Sequence, residues 1–281
     1  MALVAEGVRV ARWMADLESR HLAGLRFAEV SRALRALSSA YVERRHRLGR
    51  GAALDGAGKR AAFALFYGPL HFMTVRHVVP ALGAAKPPVM RVLDLGCGTG
   101  VAGAAWALAC DGAPQVAGVD LHPWAVEEAR WTYEALGVTG RARQADLSHA
   151  RIPPAGAVLA AFTLNELPGA RRDAVLARLL DAAAAGSRVL IVEPIARSAS
   201  PWWDEASRAF RSAGGRDDEW RFPATLPDVV KRLDRAAGLR HQQITARTLY
   251  LAGDPSTSLG AGRRRATGDG EGGRMIYGGD L

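Results

Sequence analysis

Cysteine, lysine and long apolar stretches are scarce in this chain of 281 residues. The two cysteines, Cys97 and Cys110, lack the spacing of a zinc site. No run approaches the ~18 uninterrupted apolar residues that a membrane-spanning helix needs, and no apolar block of the signal-peptide kind lies near the N-terminus. We therefore expect a cytoplasmic protein in a reducing compartment, with no structural metal and no membrane association.

Basic side chains outnumber acidic ones, and nearly all of them are arginine. The formal net charge is +9 at pH 7, while lysine occurs only at Lys59, Lys86 and Lys231. Such a charge attracts polyanions such as RNA. A coding bias towards arginine, alanine and glycine explains the same composition equally well, so charge alone leaves nucleic-acid binding open.

Periodicity divides the chain into three segments. Residues 1–83 carry apolar side chains at helical spacing, which predicts a helical N-terminal extension. In residues 84–253, short apolar strands alternate with helices, the pattern of an α/β, Rossmann-like, doubly wound and mainly parallel sheet. Residues at about 198–222 interrupt that pattern and are interpreted as an insertion over the strand ends. Residues 254–281 form a Gly/Arg-rich C-terminal tail that we expect to be mobile.

The boundaries of the predicted elements follow from apolar runs and from the glycines that close the helices. The predicted strands are Arg91–Leu95, Gln115–Asp120, Ala142–Asp146, Ala157–Leu164, Arg188–Glu193 and Gln243–Ala252. The clearest predicted helices are Pro123–Leu136, Arg171–Ala185 and Pro227–Ala237.

A glycine-rich turn follows the first predicted strand. In Asp94-Leu95-Gly96-Cys97-Gly98-Thr99-Gly100, glycine occupies every second position, so the backbone can turn tightly and approach a ligand closely. Asp94, at the strand end, can attract an ammonium group. Asp120 ends the next strand, where a carboxylate can accept hydrogen bonds from both hydroxyls of a ribose. Asp146 ends the third and can accept one from an adenine amino group. The three acids together indicate an adenosine that carries an amino-acid tail.

The same letters also contain a dinucleotide-binding pattern, because Gly98, Gly100 and Gly103 form Gly-x-Gly-x-x-Gly. A dinucleotide loop binds a pyrophosphate at the helix N-terminus. Here Asp94 would place a negative charge beside that pyrophosphate. This alternative is therefore disfavoured, as is an incidental glycine loop in an unrelated α/β domain.

These motifs resemble the class I S-adenosylmethionine-dependent methyltransferases, whose first motif has an acid two residues before a Gly-x-Gly-x-Gly loop. The resemblance covers about residues 91–193 and implies that S-adenosyl-L-methionine is the cofactor. It implies that Asp94 and the loop Gly96, Cys97, Gly98 and Gly100 hold the methionine part. It further implies that Asp120 binds the ribose, that Leu121 packs on the adenine, and that Asp146 and the Leu147 backbone meet the adenine edge.

Polar side chains that follow the fourth and fifth strands are candidates to face the methyl acceptor. They are Asn165, Glu166 and Glu193, since the carboxyl ends of parallel strands line the ligand crevice. Capping of the next helix and pairing with an arginine are the structural alternatives. If the acceptor must lose a proton, Glu166 is the first candidate base and Glu193 the second.

A narrower resemblance rests on Leu-Asn-Glu-Leu at 164–167, Val-Glu-Pro at 192–194 and Leu-Ser-Ser-Ala-Tyr at 37–41. These motifs are similar to those of methyltransferase-like proteins of the mitochondrial small ribosomal subunit and their bacterial relatives. The resemblance implies an RNA or small-ribosomal-subunit partner. A small-molecule methyltransferase and a non-catalytic ribosome-associated factor remain alternatives.

Other residues have both a binding and a packing interpretation. Six arginines could contact phosphates or form a solvated helix surface: Arg32, Arg35, Arg44, Arg45, Arg47 and Arg50. Trp202 and Trp203 could stack on a flat acceptor or anchor the predicted insertion. Tyr67, His71 and His77 are expected to pack rather than catalyse.

Overall fold

The computed structural model describes residues 2–43, 54–196 and 200–253, without the side chains of residues 2–5 and 40–43. The predicted tail and Arg44, Arg45, Arg47 and Arg50 lie outside the described residues. Its helices are α1 (Ala2–Leu22), α2 (Phe27–Glu43), α3 (Ala57–Ala62), α4 (Gly68–Ala81), α5 (Val101–Ala109), α6 (Pro123–Ala135), α7 (Gly169–Ala184), α8 (Trp203–Ser212) and α9 (Asp228–Ala237). Its strands are β1 (Arg91–Leu95), β2 (Gln115–Asp120), β3 (Gly140–Gln144), β4 (Ala157–Ala161), β5 (Arg188–Glu193), β6 (Arg216–Pro223) and β7 (Gln243–Leu251).

The strands form one seven-stranded sheet in the order β3-β2-β1-β4-β5-β7-β6. Neighbours among β1 to β5 pair in parallel, whereas β7 is antiparallel to both β5 and β6. The order reverses between β1 and β4, which creates a crevice at the carboxyl ends of the central strands. This is the Rossmann-like class I methyltransferase fold that the sequence predicts.

Side chains of the central strands alternate between two apolar layers. In β4, Leu159 belongs to the layer that contains α4, α5 and α6, and Val158 belongs to the layer that contains α7 and α8. All five residues of β4 are buried, which is why this strand appears in the sequence as a continuous apolar run.

The N-terminal helices share the core of the sheet domain. Trp13 of α1 and Leu34 of α2 lie in the same apolar cluster as Val92 of β1. Polar contacts reinforce the packing of α1, because the buried Glu128 of α6 accepts hydrogen bonds from His21 at 2.8 Å and Arg20 at 3.2 Å. The predicted extension is therefore helical but has no separate core.

Three predictions about strand ends and chain organisation are wrong. The third strand ends at Gln144 and not at Asp146, and the fourth ends at Ala161 and not at Leu164. The segment at about 198–222, predicted as an insertion, contains α8 and most of β6, which is the edge strand of the sheet. No helix in the described part of the chain is long and apolar enough to cross a membrane.

Candidate functional site

The turn between β1 and α5 is held against the end of β2. The N–H groups of Gly96 and Cys97 both donate to the carbonyl of Val119, at 2.9 and 3.0 Å. Gly96 has φ +69°, and a Cβ atom there would lie 2.3 Å from Cγ2 of Thr163. Only glycine fits this position, because it tolerates a positive φ and leaves room for the neighbouring loop.

Asp94 lies beneath this turn, with 1% of its surface exposed. Its Oδ2 accepts a hydrogen bond from the N–H of Gly103 at 2.9 Å, while its buried Oδ1 has no hydrogen-bond partner within the described residues. Burial, with a smaller contribution from the charge of Asp120, raises the pKa of Asp94 to about 7. A positive charge held above the turn would favour the ionised carboxylate.

Asp120 lies at the end of β2, beside the same turn. Its Oδ2 accepts from the N–H of Gly98 at 2.9 Å, and its Oδ1 accepts from the N–H of His122 at 2.8 Å. Each carboxylate oxygen has a second lone pair, which a ribose hydroxyl can use. Asp120 is only partly buried, so its carboxylate is not sealed off from a ligand at the end of β2.

The hydrogen bonds of Asp94 and Asp120 decide between the two loop interpretations. A pyrophosphate site requires free N–H groups at the start of the helix and no fixed negative charge. Here the N–H of Gly98 in the turn donates to Asp120, and the N–H of Gly103 in the first turn of α5 donates to Asp94. The geometry therefore disfavours a dinucleotide and suits a ligand with a positive charge.

The three residues predicted to meet an adenine are Leu121, Asp146 and Leu147. Leu121 is 40% exposed, unusual for a large apolar side chain, and it directly follows Asp120. Asp146 accepts from the N–H of Ser148 at 2.9 Å and forms an ion pair with Arg171. Burial raises its pKa, but these contacts outweigh that effect and lower it overall. The Leu147 side chain is buried in the same apolar layer as α7 and α8.

The polar groups that follow β4 and β5 bind one another. Glu193 is fully buried and accepts hydrogen bonds from the N–H groups of Leu164 and Asn165 and from the Asn165 side-chain amide. The Asn165 carbonyl oxygen accepts from Nε1 of Trp202 at 2.9 Å. Both ends of the Asn165 amide are thus engaged, and Asn165 and Glu193 together stabilise the turn after β4.

The remaining acceptor candidates separate by exposure. Glu166 is exposed, in the short 3₁₀ turn Leu164–Glu166, and its role as a base stays a prediction. Trp202 and Trp203 are buried among the apolar side chains of α7 and α8. The packing interpretation of these two tryptophans is therefore the one that fits.

A cluster of ring side chains at the crevice was not predicted as part of the site. The π-helical turn Phe63–Tyr67 joins α3 to α4, and Phe63, Tyr67 and His71 follow one another at intervals of four residues. The His71 ring stacks on Phe162, with 3.9 Å between centroids and 12° between planes. We call Phe63, Tyr67, His71 and Phe162 the ring wall. Four-residue spacing in an apolar helix normally indicates packing, so the sequence contained no separate signal.

A cavity of about 640 Å³ lies at the amino ends of the strands, on the side of the sheet opposite the candidate site. It is lined by residues at the amino ends of strands, including Arg91 and Gln115, and by the turn at Gly156. Ligands of open parallel sheets bind at the carboxyl ends of the strands. This cavity is therefore not part of the candidate site.

Comparisons with known proteins agree with the geometry of the turn. Residues 92–186 match the family described as "Methyltransferase domain". The chain is 52% identical over 67 residues to the ribosomal RNA small subunit methyltransferase C of Chromohalobacter salexigens, which covers 24% of this chain and 19% of that protein. It is 29% identical over 140 residues to an O-methyltransferase of Pyrenophora dematioidea, covering 47% of this chain and 50% of the other.

The solved structures to which this chain is similar include the magnesium protoporphyrin IX methyltransferase of Synechocystis PCC 6803 with bound S-adenosylhomocysteine. It has a TM-score of 0.43 and 17% identity, over 64% of this chain and 83% of that one.

The present chain spans half or less of the length of the curated relatives that it matches. The narrower resemblance to the mitochondrial ribosomal group is not confirmed by these matches.

The fold, the turn and the match over residues 92–186 together define a class I S-adenosylmethionine-dependent methyltransferase domain. The residues present fit that cofactor, since the buried unpartnered oxygen of Asp94 and the nearby carboxylate of Asp120 suit a cationic ligand. Leu121 offers the exposed apolar surface that an adenine ring needs.

Proposed function

We propose that this protein transfers a methyl group from S-adenosylmethionine to RNA or to a ribosome-associated target. The observation that carries the cofactor assignment is the use of the Gly98 and Gly103 N–H groups by Asp120 and Asp94. The RNA assignment is supported by the net charge of +9 and by the similarity to a ribosomal RNA methyltransferase over 67 residues. Residues 84–253 would form the catalytic domain and residues 1–83 its helical extension.

Each part of the cofactor has a proposed holder in the crevice. The glycines of the turn let the methionine part lie close to the backbone. The Asp94 carboxylate, beneath the turn, attracts its positive charge. Asp120 accepts from the ribose hydroxyls, and Leu121 packs on the adenine. Asp146, held by Ser148 and Arg171, presents its carboxylate to the adenine edge.

When bound, S-adenosylmethionine supplies a methyl group on an activated sulfonium. The chain's own contribution is to align an acceptor and to exclude water, which requires no strong base. If the acceptor carries a proton that must leave, the exposed Glu166 is the proposed base. Asn165 and Glu193 are proposed to position the turn after β4.

The test is transfer of tritiated methyl from S-adenosylmethionine to small ribosomal subunits and to the RNA extracted from them. We expect label in RNA, suppressed by Asp120→Ala and by high salt, because phosphate contacts weaken as salt rises. The exposed Asp111→Ala serves as the matched control and should retain the activity. Absence of label from RNA and ribosomal protein with the wild-type chain would contradict an RNA or ribosomal target.

A second candidate is O-methylation of a small molecule. It is favoured by the similarity to the Pyrenophora O-methyltransferase over about half of each chain. Label in a panel of phenols and alcohols, insensitive to salt and accompanied by no label in RNA, would select this candidate.

A further inference from the structure

The ring wall is presented by an unusual backbone. The π-helical turn Phe63–Tyr67 lies inside an otherwise continuous helical segment from α3 to α4. Such turns are rare and occur often at functional sites. The ring contacts follow this face of the helix: Phe63 lies 6.0 Å from Tyr67 and 6.2 Å from His71, measured between ring centroids.

This face of the helix looks onto the glycine turn. A Cβ atom on Gly98 would lie 3.7 Å from Cε1 of Phe63, and one on Gly68 would lie 3.4 Å from Oγ1 of Thr99. The ring wall is thus in van der Waals reach of the backbone proposed to hold the methionine part. The methyl group must leave from that part of the cofactor.

Phe162 completes the ring wall from the sheet side. It directly follows β4 and has φ +57°, a conformation that is costly for a bulky side chain. Its N–H donates to the carbonyl of Val192 at 2.7 Å, which ties it to the end of β5. The strained backbone therefore directs an aromatic side chain towards the crevice edge, where the acceptor must arrive.

The ring wall is uncharged and partly exposed. All four side chains keep some accessible surface, unlike Phe66 next to them, which is buried. Burial lowers the pKa of His71 to about 3, so its imidazole is neutral and has one donor and one acceptor nitrogen. A charged acceptor would lose hydration here without gaining a counter-charge. A flat, neutral ring would gain contact with aromatic surface.

We propose that the ring wall binds the methyl acceptor through a planar aromatic group, a nucleobase or a phenolic ring, with His71 as its hydrogen-bonding partner. This inference rests on the proposed function and names the chemical class that the same site accepts. Phe63, Tyr67 and Phe162 select for aromatic shape. His71 selects for a ring that carries a polar edge.

The helix that presents His71 also contains a matched control. His77, in the same α4, stacks on Phe222 of β6 with 4.0 Å between centroids and 13° between planes. This second His–Phe stack is nearly identical in geometry to that of His71 and Phe162, but it packs against the edge of the sheet next to Trp220. His77→Ala therefore removes a comparable His–Phe stack from α4 but leaves the ring wall intact.

The experiment uses the full chain saturated with S-adenosylhomocysteine and histidine-ring NMR. The probes are phenol, cytidine and uridine, with cyclohexanol as a non-aromatic control. We expect saturable shifts of the His71 ring signals with phenol or with a nucleoside and none with cyclohexanol. In the variants, affinity is read from the NMR signals of the probe itself. His71→Ala should weaken the aromatic probe about tenfold, equivalent to about 1.4 kcal/mol, whereas His77→Ala should leave its affinity unchanged.

Binding of S-adenosylhomocysteine is measured on the same samples, so the two proposals fail separately. If the wild-type chain does not bind it, the proposed function is wrong. If it binds but no aromatic probe shifts His71, or cyclohexanol competes equally, the acceptor assignment is overturned. Equal weakening by His71→Ala and His77→Ala, or loss of S-adenosylhomocysteine affinity in His71→Ala alone, would overturn it too.

Phe63→Leu keeps the inference testable if His71→Ala does not fold. This change preserves apolar volume but removes the ring, so preference for phenol over cyclohexanol should fall while S-adenosylhomocysteine affinity persists. Preference for a nucleoside over phenol would identify a nucleic-acid acceptor, and the reverse would identify a free phenolic compound. Both results support the proposal that the ring wall binds an aromatic group of the acceptor.

Discussion

Polar side chains at the carboxyl ends of the strands have different partners in the two halves of the sheet. At the ends of β1 and β2, Asp94 and Asp120 accept hydrogen bonds from backbone N–H groups of α5 and of the glycine turn, and they retain lone pairs or charge for a ligand. After β4 and at the end of β5, Asn165 and Glu193 bind each other and neighbouring backbone. We therefore propose that Asp94 and Asp120 serve recognition in one half, whereas Glu193 stabilises the turn after β4 in the other.

The largest expected effect is on stability, from Glu193→Ala. The change removes a fully buried carboxylate that accepts from Leu164 and Asn165 and that faces Arg247 across the β5–β7 pair. Breaking a buried charged network of this type costs about 3–5 kcal/mol. Chemical denaturation should show this loss, and calorimetry should show S-adenosylhomocysteine affinity within about twofold of wild type, a change of about 0.4 kcal/mol.

Asp120→Ala should have the opposite profile. Hydrogen bonds to a charged acceptor contribute about 1.5–3 kcal/mol each, so loss of two from the ribose should weaken S-adenosylhomocysteine about 100-fold or more. Because Asp120 is only partly buried, the free energy of unfolding should fall by less than it does in Glu193→Ala. Unchanged affinity in Asp120→Ala would remove the distinction between the two halves.

Asp94 should introduce a pH dependence into stability and binding. Its pKa is raised from 3.8 to about 7 in the folded chain, so between these values the native state holds a proton that the unfolded state has lost. Its contribution to the free energy of unfolding therefore falls as pH rises from about 4 to about 7 and is constant above that range.

S-adenosylmethionine affinity should follow the ionisation of Asp94 in the opposite sense. A cationic ligand favours the carboxylate, so affinity should rise between about pH 6 and pH 8, centred on the pKa of about 7. Calorimetry across this range on wild type and Asp94→Asn is the check. If Asp94→Asn keeps the full slope, another group is responsible.

The smallest expected effect is on stability, from Glu166→Ala. This side chain is exposed, and surface substitutions usually change the free energy of unfolding by about 0.5 kcal/mol or less. If Glu166 is the proposed base, methyl transfer should slow while S-adenosylhomocysteine binding is retained. If Glu166→Ala retains full methyl-transfer activity, Glu166 is not the base.

The sequence predicted β1, β2 and β5 to the residue because the apolar runs that mark these strands are local signals. The glycine turn likewise follows from neighbours in the chain. β6 was missed because Arg216–Pro223 begins with four charged residues and lies at a partly exposed edge, without an apolar stripe.

The acceptor side could not be predicted because its contacts join distant residues. The partnership of Asn165 with Glu193 spans 28 positions, and that of Asn165 with Trp202 spans 37. Neither is visible in local spacing, so the sequence left open whether these polar groups face the acceptor or bind other groups of the protein. The ring wall depends in the same way on the contact between His71 and Phe162.

Calorimetric titration of the wild-type chain with S-adenosylhomocysteine and, separately, with NAD tests the central claim most directly. We expect S-adenosylhomocysteine to bind in a one-to-one ratio and NAD to give no heat of binding, because the carboxylates of Asp94 and Asp120 already hold N–H groups that a pyrophosphate needs. Binding of NAD, or failure of S-adenosylhomocysteine to bind, would contradict the account.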